Sequence, residues 1–404
     1  MLEGIAMKIL LLENIHPKTV DVLQSEGFEV ETMKTALSED ELVQKLKGFQ
    51  VLGIRSKTQI TEKVFANSPE LLAVGAFCIG TNQVDLTTAY RSGVPVFNAP
   101  YSNTRSVAEL VLCEIIGLSR KVFYLNMQTQ KGVWLKTASD SYEVRGKTLG
   151  IIGYGHIGSQ VSVLAEALGM HVYYYDTIKK LPLGNSKSVG NLHDLLKISD
   201  FVTLHVPETE QTKNMISEKE IALMKKGSYL INASRGTVVD LEALALAIKA
   251  KHIAGAAVDV YPHEPKSNNE TFYTPLQGLE NVVLTPHIGG STEEAQESIG
   301  LEVADSFVRF LKKGTTLGAV NFPNVDLPMV PECHRIVNVH KNVPGVLSEI
   351  NKIVSSMGLN ISAQYLSTNA EIGYLVMDVD QADSRQFSDE IAKLTTSIKT
   401  RVLF

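Results

Sequence analysis

The sequence predicts an α/β protein of open parallel sheets, closed at its C-terminus by a smaller βαββαβ unit. Three observations carry this. Short apolar runs alternate with helix-period stretches from Lys8 to about residue 290, the pattern of parallel sheets joined by crossover helices. One such repeat, Thr148 to Asp176, holds glycines at G-x-G-x-x-G spacing. After a proline-rich stretch, Pro323 to Pro331, the order changes to strand, helix, two strands, helix, strand.

From Lys8, KILLLEN is an apolar run, and Pro17 fits the first turn of a helix that carries Val20 and Leu23 inward. Strand, helix and strand repeat through Phe28 to Glu31, Glu39 to Leu46 and Val51 to Ile54. In an open α/β sheet, ligands bind at the carboxyl ends of strands. There, after VLGI, stand Arg55, Ser56, Lys57 and Thr58, two cations and two hydroxyls that suit a phosphate or carboxylate. Leu71 to Ala76 is a further strand, Leu86 to Tyr90 a helix and Val94 to Phe97 a strand leading to NAPYSNTRSVAELVL. Val107 to Leu118 then reads as a long apolar helix crossing into the next domain, with Glu109 facing a groove.

The central repeat opens on a buried strand, Leu149 to Ile152. Gly153 allows the tight turn, Gly155 lets backbone approach a pyrophosphate, and Gly158 lets the helix pack close on the strand. The helix, with Ile157, Val161, Leu164, Ala165 and Leu168 at helical spacing, stops at Gly169 and presents its N-terminus to phosphates. The next strand, His171 to Tyr175, ends in Asp176, about twenty residues on, where a carboxylate accepts the adenosine ribose hydroxyls. A 2′-phosphate would be repelled there, so Asp176 favours NAD over NADP, while Lys179 and Lys180 soften that preference.

Beyond it, strands end at HVPET (His205), ASRG (Arg235), DVYPHEP (Asp259 to Pro265) and TPHIGG (Thr285 to Gly290), so unusual residues collect at the carboxyl edge of one sheet. Moving a hydride to or from a 2-hydroxy acid needs a proton carrier, a cation for the carboxylate and a nicotinamide. His287 suits the first role, a carboxylate such as Glu264 would hold its ring and favour the imidazolium, and Arg235 suits the carboxylate clamp. His205 is a rival proton carrier and His263 a second, expected to face solvent. From spacing alone these alternatives stay open, and Asp259 is a further polar group near the nicotinamide end.

Composition narrows the function. The 404 residues, 44% hydrophobic, allow two or three cored domains. A formal charge of -6 gives no basic field for nucleic acid and no polybasic run for a membrane, so an anionic substrate needs a local basic cluster. Cys78, Cys113 and Cys333 match no metal or redox spacing and read as reduced, partly buried thiols of a cytoplasmic protein, with no metal expected. No apolar run reaches the ~20 residues of a membrane helix. The opening MLEGIAM is no secretory signal, and Met7 could be the natural start.

The motifs YGHIG, LINASRGTVVD, GAAVDVYPHEP and LTPHIGGSTEEAQ resemble the D-2-hydroxyacid dehydrogenase family, and the C-terminal unit resembles an ACT domain, over nearly all of the chain from Met7 to Phe404. The resemblance implies that a Rossmann-type cofactor domain (100–289) is inserted in a discontinuous flavodoxin-like substrate domain (7–99 and 290–322), followed by a linker (323–332) and the ferredoxin-like ACT domain (333–404). It implies Arg235, Glu264 and His287 as the catalytic set, and His156, Ile157, Asp176, Ala233, Ser234, Arg235, Asp259, His287, Ile288, Gly289 and Gly290 as further cofactor positions. Arg55, Ser56 and Lys57 fall where phosphate-handling members place a basic loop, although Lys57 replaces a familiar arginine and keeps the charge without the bidentate pairing. Lys136, beside Trp134, resembles a cation supplied across a subunit interface.

The expected reaction is NAD-dependent interconversion of 3-phospho-D-glycerate and 3-phosphohydroxypyruvate, the first step toward L-serine. VHKNVPG and GLNISAQYL match an effector motif, implying that His340, Asn342 and Asn360 bind L-serine between paired ACT domains of a homotetramer; Lys341 and Val343 depart from the usual charged neighbours and point to weak sensitivity. Alternatives are reduction of 2-oxoglutarate or another 2-oxo acid, as in some similar enzymes, and a non-catalytic NAD-sensing binding protein like the C-terminal-binding co-repressors.

Overall fold

The computed structural model describes residues 7–265, 269–330, 332–380 and 384–403. Residues 1–6 of the opening segment, Pro331 of the linker and Phe404 of the last strand lie outside the described residues. Two compact units form, 1–102 with 296–404, and 103–295.

The first unit begins with β1 (Lys8–Leu11), α1 (Pro17–Ser25), β2 (Glu29–Thr32), α2 (Glu39–Lys45), β3 (Val51–Ile54), α3 (Glu62–Ala66), β4 (Ala73–Ala76), α4 (Leu86–Arg91) and β5 (Val96–Asn98). These strands pair in parallel in the order β2-β1-β3-β4-β5, the flavodoxin-like order. Pro17 opens α1 where its missing N–H costs nothing, the Ser38–Glu41 capping box opens α2, and the Asp85 side chain accepts Thr88 N at 2.9 Å to open α4. Every residue of β3 and β4 is buried, as an apolar run covered on both faces requires.

The second unit holds α5 (Thr104–Ser119), α6 (Val122–Gln130), β6 (Thr148–Ile152), α7 (His156–Ala167), β7 (His171–Tyr175), β8 (Lys187–Ser188), α8 (Leu192–Ile198), β9 (Phe201–Leu204), α9 (Glu218–Leu223), β10 (Ser228–Asn232), α10 (Leu241–Lys249), β11 (Ile253–Val258) and β12 (Val282–Leu284). Its sheet is parallel throughout, in the order β12-β11-β10-β9-β6-β7-β8. The chain runs outward from β6 through β7 to β8, then returns to lay β9 on the other side of β6. That reversal is the topological switch point at which α/β sheets bind ligands.

The first unit resumes with α11 (Glu293–Lys313), β13 (Cys333–Lys341), α12 (Val346–Ser356), β14 (Ile361–Thr368), β15 (Ile372–Asp380), α13 (Ser384–Ala392) and β16 (Ser397–Val402). The last four strands form an antiparallel sheet, β14-β15-β13-β16, with a ferredoxin-like βαββαβ order. Val337, Val339 and Tyr374 share one core with Phe97, Phe307 and Phe322, so this sheet is packed onto its own unit. Arg335 and Asp378, both fully buried, pair through Nε–Oδ1 at 2.6 Å and Nη2–Oδ2 at 2.7 Å, and the guanidinium also donates to the carbonyls of Lys313, Leu327 and Pro328. A charge buried so completely persists because every donor is matched.

Two expectations need correcting. Cys113 is exposed, while Cys78 and Cys333 are half-buried. Glu109 does not line a groove: it is exposed and pairs with Arg105 one turn back at 2.6 Å. The buried acid of α5 is Glu114, 1% exposed, seven residues after the buried Val107 and so on the same face. Among the described residues no helix is long and apolar enough to cross a membrane.

Candidate active site

The glycine turn between β6 and α7 is built as its spacing requires. Gly153 has φ +89°, and a Cβ there would lie 2.4 Å from the His205 carbonyl oxygen. A Cβ on Gly158 would lie 2.2 Å from the Gly153 carbonyl oxygen, so the third glycine lets the helix close on the turn. Gly155, at the N-cap of α7, meets nothing within 4 Å. The protein itself gives no steric demand for glycine there, and the open space in front of the helix N-terminus fits a dinucleotide's pyrophosphate, which His156 and Ile157 follow. Asp176, at the end of β7, accepts Tyr154 N on Oδ2 at 2.8 Å and Ile178 N on Oδ1 at 2.9 Å. A carboxylate has about four acceptor positions, so those left over can serve two ribose hydroxyls.

At the carboxyl ends of β10, β11 and β12 three turns meet. In the first, Asn232 Oδ1 accepts Ser234 N and Oγ at 3.1 and 2.9 Å, Asn232 Nδ2 donates to Arg235 O at 3.0 Å, and Arg235 Nη1 donates to Ser234 O at 2.7 Å. A Cβ on Gly236 would fall 1.9 Å from Tyr261 C, so the turn carrying Arg235 lies directly on the turn carrying Glu264. In the second, the Tyr261 hydroxyl shares its one proton between Val258 O at 2.8 Å and Thr285 O at 3.0 Å, and its N–H donates to Glu264 Oε1 at 3.1 Å. In the third, His287 sits at φ +54°, a left-handed backbone rarely adopted without constraint. Asp259, 1% exposed, supplies that constraint by accepting Thr285 Oγ1 at 2.6 Å and the N–H groups of Ile288 and Gly289 at 2.8 Å each.

These anchors bring His287 Nδ1 to 2.8 Å from Glu264 Oε2. The hydrogen bond that His287 donates to Glu264 raises the His287 pKa above 6.5, against the opposing effects of burial and the Arg235 charge. Burial works to raise Glu264, but its bond to His287, and the nearby Tyr261 N–H and Arg235, hold it below the ordinary carboxylate value. The result is a histidine biased toward imidazolium, fixed through Nδ1, beside a half-buried arginine.

The rival histidines differ. His205 Nε2 lies 3.1 Å from Thr203 Oγ1, and burial pushes its pKa down to about 3, so it stays neutral, and its carbonyl oxygen abuts Gly153. His263 is exposed, as expected. A Cβ on Gly289 would lie 3.1 Å from Asp259 Oδ2, and one on Gly290 2.6 Å from Asn103 Nδ2, so both glycines are closely approached by side chains.

The remaining expected positions are dispersed. Lys136 and the 79% exposed Trp134 lie in a stretch of the second unit without helix or strand. Arg55, Ser56 and Lys57 follow β3 in the first unit; the buried Glu13 accepts Lys57 N at 3.0 Å and Thr58 N at 2.8 Å, and Gln83 donates to Arg55 O at 2.5 Å. The loop's backbone is thus fixed while the Ser56 and Lys57 side chains stay exposed. Asn342 and Asn360 are exposed, whereas His340 is 3% exposed, its Nδ1 2.9 Å from Asn338 Oδ1. Glu13, Gln83 and Gly236 were not singled out from the sequence, because each acts through a partner distant in the chain.

Two family models match the chain: "D-isomer specific 2-hydroxyacid dehydrogenase, NAD binding domain" over residues 112–289, and "AHAS small subunit-like ACT domain" over 336–399. The chain is 55% identical to a D-3-phosphoglycerate dehydrogenase of Dictyostelium discoideum, covering 98% of this chain and 97% of that one. It is 51% identical to one of Escherichia coli K12, covering 100% and 99%. Among solved structures, a D-lactate dehydrogenase from Aquifex aeolicus complexed with NAD and lactic acid superposes with a TM-score of 0.67 at 28% identity, over 78% of this chain and all of that one.

Proposed function

This chain belongs to the D-3-phosphoglycerate dehydrogenase family, and on that premise we propose that it oxidises 3-phospho-D-glycerate to 3-phosphohydroxypyruvate with NAD, using His287, Glu264 and Arg235. It is an NAD-dependent oxidoreductase. The observation that carries the residue assignment is the 2.8 Å contact of His287 Nδ1 with Glu264 Oε2 on turns that also hold Arg235.

Held by the glycine turn and Asp176, bound NAD would supply the acceptor for the hydride that leaves C2 of the hydroxy acid. Because Nδ1 is engaged by Glu264, His287 takes the C2 hydroxyl proton at Nε2, and the imidazolium that forms is stabilised by the Glu264 carboxylate. Arg235 pairs with the substrate carboxylate and draws electron density from the developing carbonyl oxygen. In the reverse direction His287 returns the proton from Nε2. Asp259 keeps His287 in its left-handed turn through Ile288 and Gly289, and Asp176 takes the adenosine ribose.

We assign the phosphate to Arg55, Ser56 and Lys57, on the support of the exposed Ser56 and Lys57 side chains and the half-buried Arg55 over a backbone fixed by Glu13, and Lys136 to a site completed by a second subunit. L-serine is assigned to His340, Asn342 and Asn360, the exposed amides offering both donors and acceptors to an amino acid. We place the protein in the cytoplasm as a homotetramer. The test is NADH oxidation with 3-phosphohydroxypyruvate beside 2-oxoglutarate, with and without L-serine. Fast turnover only with the phosphorylated substrate, falling with serine, is expected; equal turnover on both would overturn the phosphate assignment, and no turnover with NADH still bound would overturn the enzymatic reading.

A further inference from the structure

Tyr154 stands between the first two glycines of the turn, and three parts of it are engaged at once. Its N–H donates to Asp176 Oδ2 at 2.8 Å. Its ring, 3% exposed, stacks on Tyr174 with centroids 3.7 Å apart and planes 17° from parallel. Its hydroxyl lies 2.8 Å from Ser186 Oγ and 3.1 Å from Ser162 Oγ of α7, and accepts Leu183 N at 3.2 Å. Ser162 and Ser186 are themselves buried, so the hydroxyls meet inside the protein rather than at its surface.

The segment this hydroxyl reaches, residues 177–186, follows Asp176 directly and has no helix or strand. It is tied at five places: Ile178 N to Asp176 Oδ1 at 2.9 Å, Lys180 O to the Tyr174 hydroxyl at 2.9 Å, Leu183 N to Tyr154, Asn185 N to Glu166 of α7 at 2.8 Å, and Ser186 Oγ to Leu183 O at 2.8 Å. Despite this fixing, it leaves Ile178 65% and Leu181 84% exposed, next to the acid that serves the ribose. Apolar side chains exposed on a hydrogen-bonded backbone beside a ribose carboxylate suit the flat face of the purine base attached to that ribose.

We propose that the Tyr154 hydroxyl, with Tyr174 and Ser186, is a positioning device that holds segment 177–186 as the adenine-facing wall of the cofactor site, and so sets affinity for NAD without entering the chemistry. The proposal rests on the assignment of Asp176 to the ribose. A segment ordered in advance does not charge its ordering entropy to the binding step, so loosening it weakens the adenosine end alone.

Tyr154→Phe removes the hydroxyl and keeps the ring stack and the N–H to Asp176; Ser186→Ala loosens the same junction from the segment's side if the phenylalanine variant folds poorly. For each, KM for NAD is expected to rise about fivefold to tenfold, the effect of one or two net hydrogen bonds, with kcat at saturating NAD within about twofold. Affinity for ADP-ribose, which carries the adenosine end without nicotinamide, is expected to fall by the same factor, and affinity for nicotinamide mononucleotide to stay unchanged. A lowered melting temperature with unchanged KM and ADP-ribose affinity would make the network structural only and overturn the proposal, as would a loss confined to kcat. If Asp176→Ala leaves wild-type ADP-ribose affinity intact, the ribose assignment itself fails, and that outcome is separate from the behaviour of Tyr154→Phe.

Discussion

Arg91 at the end of α4 and Glu371 in the β14–β15 turn form a bidentate ion pair, Nε–Oε2 at 2.7 Å and Nη2–Oε1 at 3.0 Å, with the Tyr90 hydroxyl donating to the same carboxylate. The Arg91 bond, then the Tyr90 bond, pull the Glu371 pKa down to about 2. The turn holding Glu371 also receives Asn342, whose N–H donates to Glu371 O at 2.8 Å and whose side chain donates to Asn369 O at 2.7 Å. At its other end α4 begins at Asp85, two residues after Gln83, which holds the Arg55 carbonyl. A continuous run of bonded groups therefore joins Asn342 of the proposed serine residues to the proposed phosphate loop. Breaking the pair with Glu371→Gln is expected to raise the serine concentration for half inhibition about two- to fivefold, as suits an exposed ion pair, leaving turnover without serine unchanged. The reversed pair, Arg91→Glu with Glu371→Arg, should restore inhibition; failure to do so would break the link.

The His287–Glu264 contact fixes the sign of the pH profile. Reduction of the 2-oxo acid starts from His287 protonated, so its rate should fall as pH rises through a pKa lying above 6.5, while oxidation of the hydroxy acid should rise through the same value. Glu264→Gln removes the charge behind the largest cause of that elevation and leaves burial and Arg235, which lower it, against Asp259 alone, which raises it. The alkaline limb for reduction should then move to lower pH. His287→Ala should cost about 10²- to 10⁴-fold in kcat with NADH affinity intact. Steady-state rates from pH 5.5 to 9.5 in both directions test this, and a Glu264→Gln profile superposable on the wild type would refute the pairing.

The same contrast shows what was legible in the chain. Glycine spacing, strand ends and Asp176 are local signals, and each element they imply is present within a few residues. Glu264 and His287 are likewise local to their turns, but their 2.8 Å contact depends on Gly236 and Asp259, which act across the sheet. Glu109 interrupts an apolar run, a local signal in the sequence that carries no information on which way the side chain faces. Helical phase singles out Glu114, since 107, 111, 114 and 118 share a face while 109 lies opposite.

Glu114 gives a stability prediction. Burial, and secondarily the Asp259 charge, push its pKa up to about 8, and neither carboxyl oxygen has a hydrogen-bond partner among the described residues. Between its ordinary value of 4.5 and about 8 the unfolded chain releases this proton and the folded chain keeps it, so stability falls as pH rises through that window. Glu114→Gln, neutral throughout, should flatten the slope and make the protein more stable at pH 8 by on the order of 3 kcal/mol, with little change at pH 5. Urea midpoints at pH 5, 6.5 and 8 decide it; an unchanged slope would mean that another group carries the dependence.

Gly236 is the most exacting position of the candidate site. An added Cβ would meet Tyr261 C at 1.9 Å, Tyr261 O at 2.1 Å and Pro262 N at 2.5 Å, all backbone atoms that cannot rotate away. Gly236→Ala must therefore separate the Arg235 turn from the Glu264 turn, even though it touches no proposed catalytic side chain. Overpacking of this kind costs about 1–3 kcal/mol, and a displacement near 1 Å at the reacting groups costs about 10²-fold in rate. The expected variant folds, binds NADH through the distant glycine turn and Asp176, and turns over roughly 100-fold more slowly. Gly155→Ala provides the opposite pattern: it meets no protein atom within 4 Å, so the chain should fold with unchanged stability while its affinity for NADH falls. Melting temperatures and NADH titrations of the two variants separate a glycine required by the protein's own packing from one required by the cofactor.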